Sequence, residues 1–291
     1  MQLAQLEIDG VEGIGVRRDD HAFVALMADE AGYPGSLQKL VTRGAAALEA
    51  AGRVVETNGH LVRAPGFTFL PPITRPGKIV CVGLNYADHA SETGFQAASY
   101  PSLFCRFAST LVGHGQPLVC PRESEQLDYE GELVAVIGKR GRRIDRRNAL
   151  DHVVAYSIFN DATLRDYQTR TTQWTPGKNF DATGAFGPVL TLASAVPPGA
   201  RGLTLETRLN GQLLQSASTD QMIFSVVDLV AIVSEVMTLG PGDLIVTGTP
   251  SGVGFARKPP LFMKDGDVCE VSITGLGTLR NAVVAERKRE P

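Results

Sequence analysis

Residues 127–138 read LDYEGELVAVIG, a run in which Asp128, Glu130 and Glu132 alternate along the chain and lead straight into Val134 and Val136. In a β-strand, side chains two apart share a face. The three carboxylates therefore stand on the face of Val134 and Val136, while Tyr129, Leu133, Ala135 and Ile137 take the other. A solvated edge strand would carry such an acidic face without consequence. Apolar residues on both faces toward the strand's end favour burial between two layers instead. Buried like charges two residues apart repel, and each is driven toward protonation unless a cation compensates. The segment thus predicts a central strand in a layered, β-rich fold, with a cation beside its acidic end.

The chain around it has the matching character. KIVCVGL, VVAYSIF, LTLETRLNG, DLIVTGT and DVCEVSITG are short β-branched and aliphatic runs bounded by Gly, Pro, Asn and Asp. Asn210-Gly211 suits a two-residue hairpin turn, because both positions tolerate positive φ. One clear amphipathic helix opens at Ser225, with Val226, Leu229, Val230, Val233 and Met237 on one stripe and Gly240 just past its end. Strands and helices do not alternate regularly, which argues against a doubly wound parallel sheet. Residues 1–72 read as a small α+β domain: strand-like QLAQLEI and AFVALMA, then a helix from Ser36 carrying Leu37, Leu40, Val41 and Leu48 and stopping at Gly52. The three prolines of FLPPITRPGK, residues 69–78, mark a boundary. Residues 73–291 form the larger domain of a mixed β-rich α+β protein.

Charge narrows the partners. With 28 Lys and Arg against 31 Asp and Glu, the formal charge is −3, which offers no basic footprint for nucleic acid and no polybasic surface for a membrane. MQLAQLEIDG lacks a cationic region followed by an apolar one, and no window approaches the roughly 20 apolar residues of a membrane span. The expectation is a soluble cytoplasmic protein. Cys81, Cys105, Cys120 and Cys269 each lie beside apolar residues without metal-type spacing, so they are read as reduced core thiols.

Hard oxygen donors without clustered His or Cys select Mg²⁺, Mn²⁺ or Ca²⁺ over Zn²⁺. A third carboxylate is then expected, and Asp161 in FNDATLRDYQ supplies it. That reading ends a strand at Phe159 and begins a helical turn at Asp161, so that Asp161, Arg165 and Gln168 share one face. A plain N-cap for Asp161 and a surface ion pair for Arg165 are the simpler alternatives. His89 and Glu92 are three apart, a spacing at which a carboxylate orients an imidazole that takes a proton from water; a surface helix would show the same pair. Lys178 is a lone cation in the loop QWTPGKNFD. Thr249 lies in VTGTPSGVG, where its hydroxyl and backbone N–H groups suit a carboxylate, though tight turns alone would explain those glycines.

Taken in order, KIVCVGLNYADHASETG, LDYEGELVAVIGKRGR, FNDATLRDYQ, QWTPGKNFD, MIFSVVDLVAIVSEVMTLGPGDLIVTGTPSGVG and GDVCEVSITGLGTLRN resemble the fumarylacetoacetate hydrolase family over roughly residues 75–285. The resemblance implies a β-roll or barrel-like core, a homodimer and bound Mg²⁺ or Mn²⁺. It implies Glu130, Glu132 and Asp161 as metal ligands, His89 and Glu92 as a lid-borne water-activating pair, and Arg165, Gln168, Lys178 and Thr249 as the grip on a 2-oxo-acid end. Lys178 is also expected to hold the departing enolate. Two stretches depart from the family pattern: Arg106 stands where many members have Lys, and NFDATGAFGP replaces the commoner Ser-Phe-Asp version followed by Cys-Pro. Arg106 is read as a substrate contact whose planar fork alters carboxylate preference. The leading expectation is a metal-dependent hydrolase of a carbon–carbon bond in an acylpyruvate-like or fumarylpyruvate-like β-diketo acid, from aromatic-compound breakdown. The alternatives are a decarboxylase or isomerase of oxaloacetate-like or hydroxymuconate-like acids, and a non-catalytic metal-stabilised binding protein.

Overall fold

The computed structural model of this chain describes residues 1–88 and 99–287. Its centre is the strand Gly131–Ile137, buried at every residue. Leu133, Ala135 and Ile137 enter one apolar cluster, while Val134 and Val136 enter another on the opposite face. Period-two alternation thus divides one strand between two cores, as its sequence predicts.

Among the described residues twelve strands form the main sheet, ten of them along one path. Its hydrogen-bonded path runs His60–Arg63, Ala22–Met27, Val11–Arg17, Gln2–Ile8, Gly184–Leu192, Val153–Asp161, Gly131–Ile137, Leu244–Val246, Ile79–Gly83 and Ser102–Arg106. The first strand of the chain therefore pairs with Gly184–Leu192, and Leu3, Ile14 and Leu48 share a core with Val134, Phe159 and Phe186. A second, five-stranded sheet is built from Gln212–Ser218, Thr204–Leu209, Val268–Ile273, Gly277–Ala285 and Leu118–Cys120. Its hairpin turns at Asn210 and Gly211, with φ of 52° and 81°.

After Ser102–Arg106 the chain makes a 3-10 turn and returns as Leu111–Val112, pairing parallel with Gly184–Leu192. That return rolls the far end of the sheet back toward its middle. It sets Arg106 next to the strand Val153–Asp161, with the guanidinium 5.7 Å from the Phe159 ring centroid.

The helix Val226–Val236 follows its sequence signature except at its end, where Met237, expected on the stripe, is already extended and the helix stops short of Gly240. Ser225 caps it in a reciprocal box with Asp228, and Val226, Leu229, Val230 and Val233 are buried. The helix expected from Ser36 to Gly52 is instead two. Leu37–Val41 and Ala45–Asn58 are separated at Gly44, whose φ of 86° lies outside the helical range. Gly52 does not stop the second helix. It is buried against Met1 and Leu3, and a side chain there would overlap the Met1 thioether. The thiols also need correction: all four cysteines are free, but only Cys81 and Cys269 are buried, whereas Cys120 is half-buried and Cys105, on the sheet's terminal strand, is exposed. Among the described residues no helix is long and apolar enough to cross a membrane.

His114 lies where the two sheets meet. Its Nδ1 accepts the Arg280 backbone N–H at 3.1 Å, and its ring packs edge-on to Phe69 with centroids 4.7 Å apart. Burial, helped by Arg280 and Arg17, lowers its pKa to about 4. The unfolded chain titrates near the ordinary value of about 6.5. The folded state therefore binds fewer protons between those values, and the stabilisation is complete above pH ~6.5 and lost as pH falls toward ~4. Replacing His114 by Gln is expected to flatten the acid limb of a stability-against-pH curve measured by urea unfolding over that window.

Candidate metal and substrate site

Strand register builds the acidic centre. Gly131 pairs with Asn160 and Glu132 with Phe159 in the antiparallel ladder. One step further out, the Asp161 backbone N–H donates to the Glu130 carbonyl at 2.9 Å. Glu130 thus stands across from Asp161, with Glu132 two residues along the same face, and opposed side chains in such a ladder are neighbours. Ligand oxygens of Glu130, Glu132 and Asp161 all lie within 4.8 Å of one another, and all three residues are buried. A register slip of one residue would turn the whole set to the other face.

Each carboxylate is held from outside the trio. Arg106 Nη1 donates to Asp161 Oδ1 at 2.5 Å, Arg165 Nη2 pairs with Glu130 Oε1 at 2.7 Å, and the Gly248 N–H donates to Glu132 Oε2 at 2.5 Å. Gly248 has φ of 99°, and a Cβ there would crowd Asn85 and the Val82 carbonyl, so the backbone can deliver that N–H only as glycine. Lys178 Nζ bridges Glu130 Oε2 and Asp161 Oδ2 at 2.5 Å each.

Burial, with Asp161 and Glu130 beside it, pushes the Glu132 carboxyl well above the usual range. Burial opposes the charge on Lys178, but Asp161 and Glu130 hold its pKa above the ordinary lysine value. Burial likewise opposes the charge on Arg165, and Glu130 and Asp128 outweigh it.

Several expectations change once these side chains are placed. Asp161 does not begin a helical turn. It is the last residue of the strand Val153–Asp161, and Arg165 and Gln168 come from a separate turn, Arg165–Gln168, that follows the short strand Thr163–Leu164. The ladder with Gly131–Ile137 carries the strand two residues past Phe159. Arg165 consequently pairs with Glu130 and with Asp128, Nε to Oδ2 at 2.8 Å. Asp128, the first carboxylate of the alternating run, is separate from the metal trio. It accepts from the backbone N–H groups of Tyr129, Gly254 and Phe255 as well as from Arg165, and so anchors the guanidinium to the loop around residue 254. Its role was invisible in the sequence, because the ladder breaks at Tyr129 and Glu130 and the loop partners lie more than 120 residues away.

Arg106 also departs from its expected place as a substrate contact. Its side chain is wholly buried behind Asp161, and its N–H groups go to Asp161, the Ala162 carbonyl, Thr110 and Thr183. Thr249 donates its one hydroxyl proton to the Gly131 carbonyl and accepts from Gln215, so no hydroxyl proton remains for a ligand. Gln168 accepts from Arg165 Nη1 at 2.9 Å, which leaves its amide N–H groups. His89 and Glu92 lie outside the described residues.

Glu130, Glu132, Arg165, Gln168, Lys178 and Thr249 line a cavity of about 700 Å³. The donor set fits a divalent metal ion: three buried carboxylates supply hard oxygen ligands. Charge balance agrees. Among the described residues at the site, Asp128, Glu130, Glu132 and Asp161 are four buried carboxyl groups against three buried cations, Arg106, Arg165 and Lys178, a formal excess of one negative charge when all are ionised. A dication turns that deficit into a surplus of one positive charge, suited to an anionic substrate.

Comparison with known proteins bears on this arrangement. Residues 78–284 match the model of the fumarylacetoacetate (FAA) hydrolase C-terminal domain. An oxaloacetate tautomerase of Xenopus laevis, described as mitochondrial, is 39% identical over 269 residues, covering 92% of this chain and 84% of that protein. A fumarylacetoacetate hydrolase from psychrophilic Exiguobacterium antarcticum superposes with a TM-score of 0.84 at 39% identity, covering 98% of this chain and 100% of that one. The fumarylpyruvate hydrolase of Pseudomonas aeruginosa, solved with Mn²⁺ and pyruvate, gives a TM-score of 0.66 at 35% identity over 77% of this chain and 93% of its own.

Two substitutions test the geometry. Glu132→Gln is expected to weaken Mn²⁺ binding at least tenfold in a calorimetric titration, because one of three charged ligands is lost; an unchanged isotherm would remove Glu132 from the ligand set. Arg106→Leu leaves the Asp161 charge buried beside one fewer cation, and should destabilise the chelator-treated protein by about 3–5 kcal/mol in denaturant unfolding.

Proposed function

This chain belongs to the fumarylacetoacetate hydrolase family, and we propose that within it the protein is a metal-dependent tautomerase of a 2-oxo acid of the oxaloacetate type. The observation that carries this reading is the buried carboxylate trio bridged by Lys178 and flanked by Arg165 beside a cavity that Glu130, Glu132, Arg165 and Lys178 line. The kinship to an oxaloacetate tautomerase over 92% of the chain moves the weight from hydrolysis, the first expectation of the sequence, to its isomerase alternative.

Tautomerisation exchanges a proton between C3 and the 2-oxo oxygen and needs no water. A divalent ion held by Glu130, Glu132 and Asp161, Mg²⁺ or Mn²⁺, would supply Lewis acidity to the 2-oxo group and lower the cost of its enolate. Arg165, fixed by Asp128 and Glu130, orients the substrate carboxylate, with the Gln168 amide as a neighbouring donor. Lys178 contributes its third ammonium N–H to the oxygen on which charge develops, since two are taken by Glu130 and Asp161. His89 and Glu92, which the family resemblance gives as a water-activating pair, would in this reading move the C3 proton instead. Burial of the charged end keeps water from competing for that proton. Mn²⁺ with pyruvate in the fumarylpyruvate hydrolase relative supports a second reading at the same site, in which an added water leads to carbon–carbon cleavage.

The two separate in one assay. Purified protein with Mg²⁺ is expected to speed the decay of enol-oxaloacetate, followed by its ultraviolet absorbance, with little release of pyruvate from acetylpyruvate; rapid cleavage with no tautomerase activity would reverse the assignment. Lys178→Met should lower the tautomerisation kcat by about 10²–10³, and chelation should abolish it.

A further inference from the structure

The cavity is lined by apolar as well as charged side chains. At about 700 Å³ it lies in the range of sites that enclose drug-sized ligands, roughly 300–1,000 Å³, and exceeds what a four-carbon acid fills. Its lining also includes the apolar side chains of Val82, Leu103, Phe104 and Trp174, which continue from the buried ammonium outward. Trp174 meets Phe104 edge to face, with ring centroids 5.5 Å apart, and Phe104 in turn lies 4.9 Å from Lys178 Nζ. The indole is seated on Gly83: a Cβ at residue 83 would overlap its six-membered ring. Trp174 also directly precedes the helical turn Thr175–Lys178, so the wall and the buried ammonium belong to one short element.

The two cations that line the cavity among the described residues, Arg165 and Lys178, stand at the carboxylate end, where both are already paired. Thr171 and Thr172 add neutral hydroxyls at the exposed rim. An apolar arm reaching this wall loses water at no polar cost, whereas a second carboxylate placed there is desolvated without a cationic partner.

We propose that Val82, Leu103, Phe104 and Trp174 form a second subsite, for the uncharged apolar arm of a 2-oxo acid longer than oxaloacetate, with Trp174 as the specificity-determining residue. The assignment rests on the keto-acid reading of the charged end. It places the substrate among 2-oxo acids with an extended alkyl or aryl arm.

Trp174 is the only tryptophan in the chain, so its emission reports directly on this wall. The test titrates Mg²⁺-loaded protein with pyruvate, 2-oxohexanoate and 2-oxoglutarate, the last two matched in arm length, and follows both heat and tryptophan emission. Burial of the alkyl arm should make 2-oxohexanoate bind about tenfold tighter than either other acid and shift the emission. Trp174→Ala should remove that gain while pyruvate affinity moves by no more than about twofold, and Gly83→Ala, which displaces the indole without deleting it, should reproduce the loss. Equal affinity for 2-oxohexanoate and 2-oxoglutarate, or a gain that survives both substitutions, would overturn the subsite alone. Failure of pyruvate itself to bind would overturn the keto-acid reading and the subsite with it.

Discussion

Three carboxylates buried within 4.8 Å of one another are the constraint around which the molecule is organised. Bare, such a cluster is intolerable in a low-dielectric interior. The fold answers with cations fixed at distinct oxygens: Arg106 on Asp161, Arg165 on Glu130, and Lys178 across both, with the Gly248 N–H on Glu132. Those contacts engage both oxygens of Glu130 and of Asp161 and one oxygen of Glu132. One negative charge remains unmatched, and a hard dication satisfies it while leaving the site positive toward a carboxylate substrate.

Delivering those partners accounts for much of the topology. The antiparallel ladder of Gly131–Ile137 with Val153–Asp161 brings two neighbouring strands' acids together. The parallel pairing of Leu244–Val246 with Ile79–Gly83 positions the loop that offers Gly248, and the return of the chain at Leu111–Val112 closes the sheet so that Arg106 stands behind Asp161. Asp128 ties Arg165 to the loop around Gly254, which joins the turn Arg165–Gln168 to the opposite wall. Replacing any one of these connections would leave a buried charge without its partner, so the site and the fold support each other through the same contacts.

The same charged end suits several reactions of 2-oxo acids, because tautomerisation, decarboxylation and carbon–carbon cleavage share an enolate whose charge must be stabilised. What distinguishes them is the proton or water brought to the substrate and the wall that receives its far end. The aromatic wall of Phe104 and Trp174 therefore bears on substrate choice independently of the acids, whereas Arg106, wholly buried behind Asp161, acts on the ligand it holds.

Much of this was readable along the chain wherever periodicity carries the information. Alternation in LDYEGELVAVIG determined a strand with two buried faces and acids on one of them, the cap at Ser225 and the stripe from Val226 determined the long helix, and Asn210-Gly211 determined a hairpin. The sequence alone also established which acids are candidates for a hard metal, since hard oxygen donors stand there without clustered His or Cys. It did not determine that Asp161 ends a strand, that Asp128 serves Arg165, that Thr249 has its hydroxyl engaged, or that Arg106 is hidden from the cavity. Those outcomes were decided only by tertiary structure, because each depends on which hydrogen-bond partner a folded sheet brings within about 3 Å from a distant part of the chain, and local pattern holds no record of that distance.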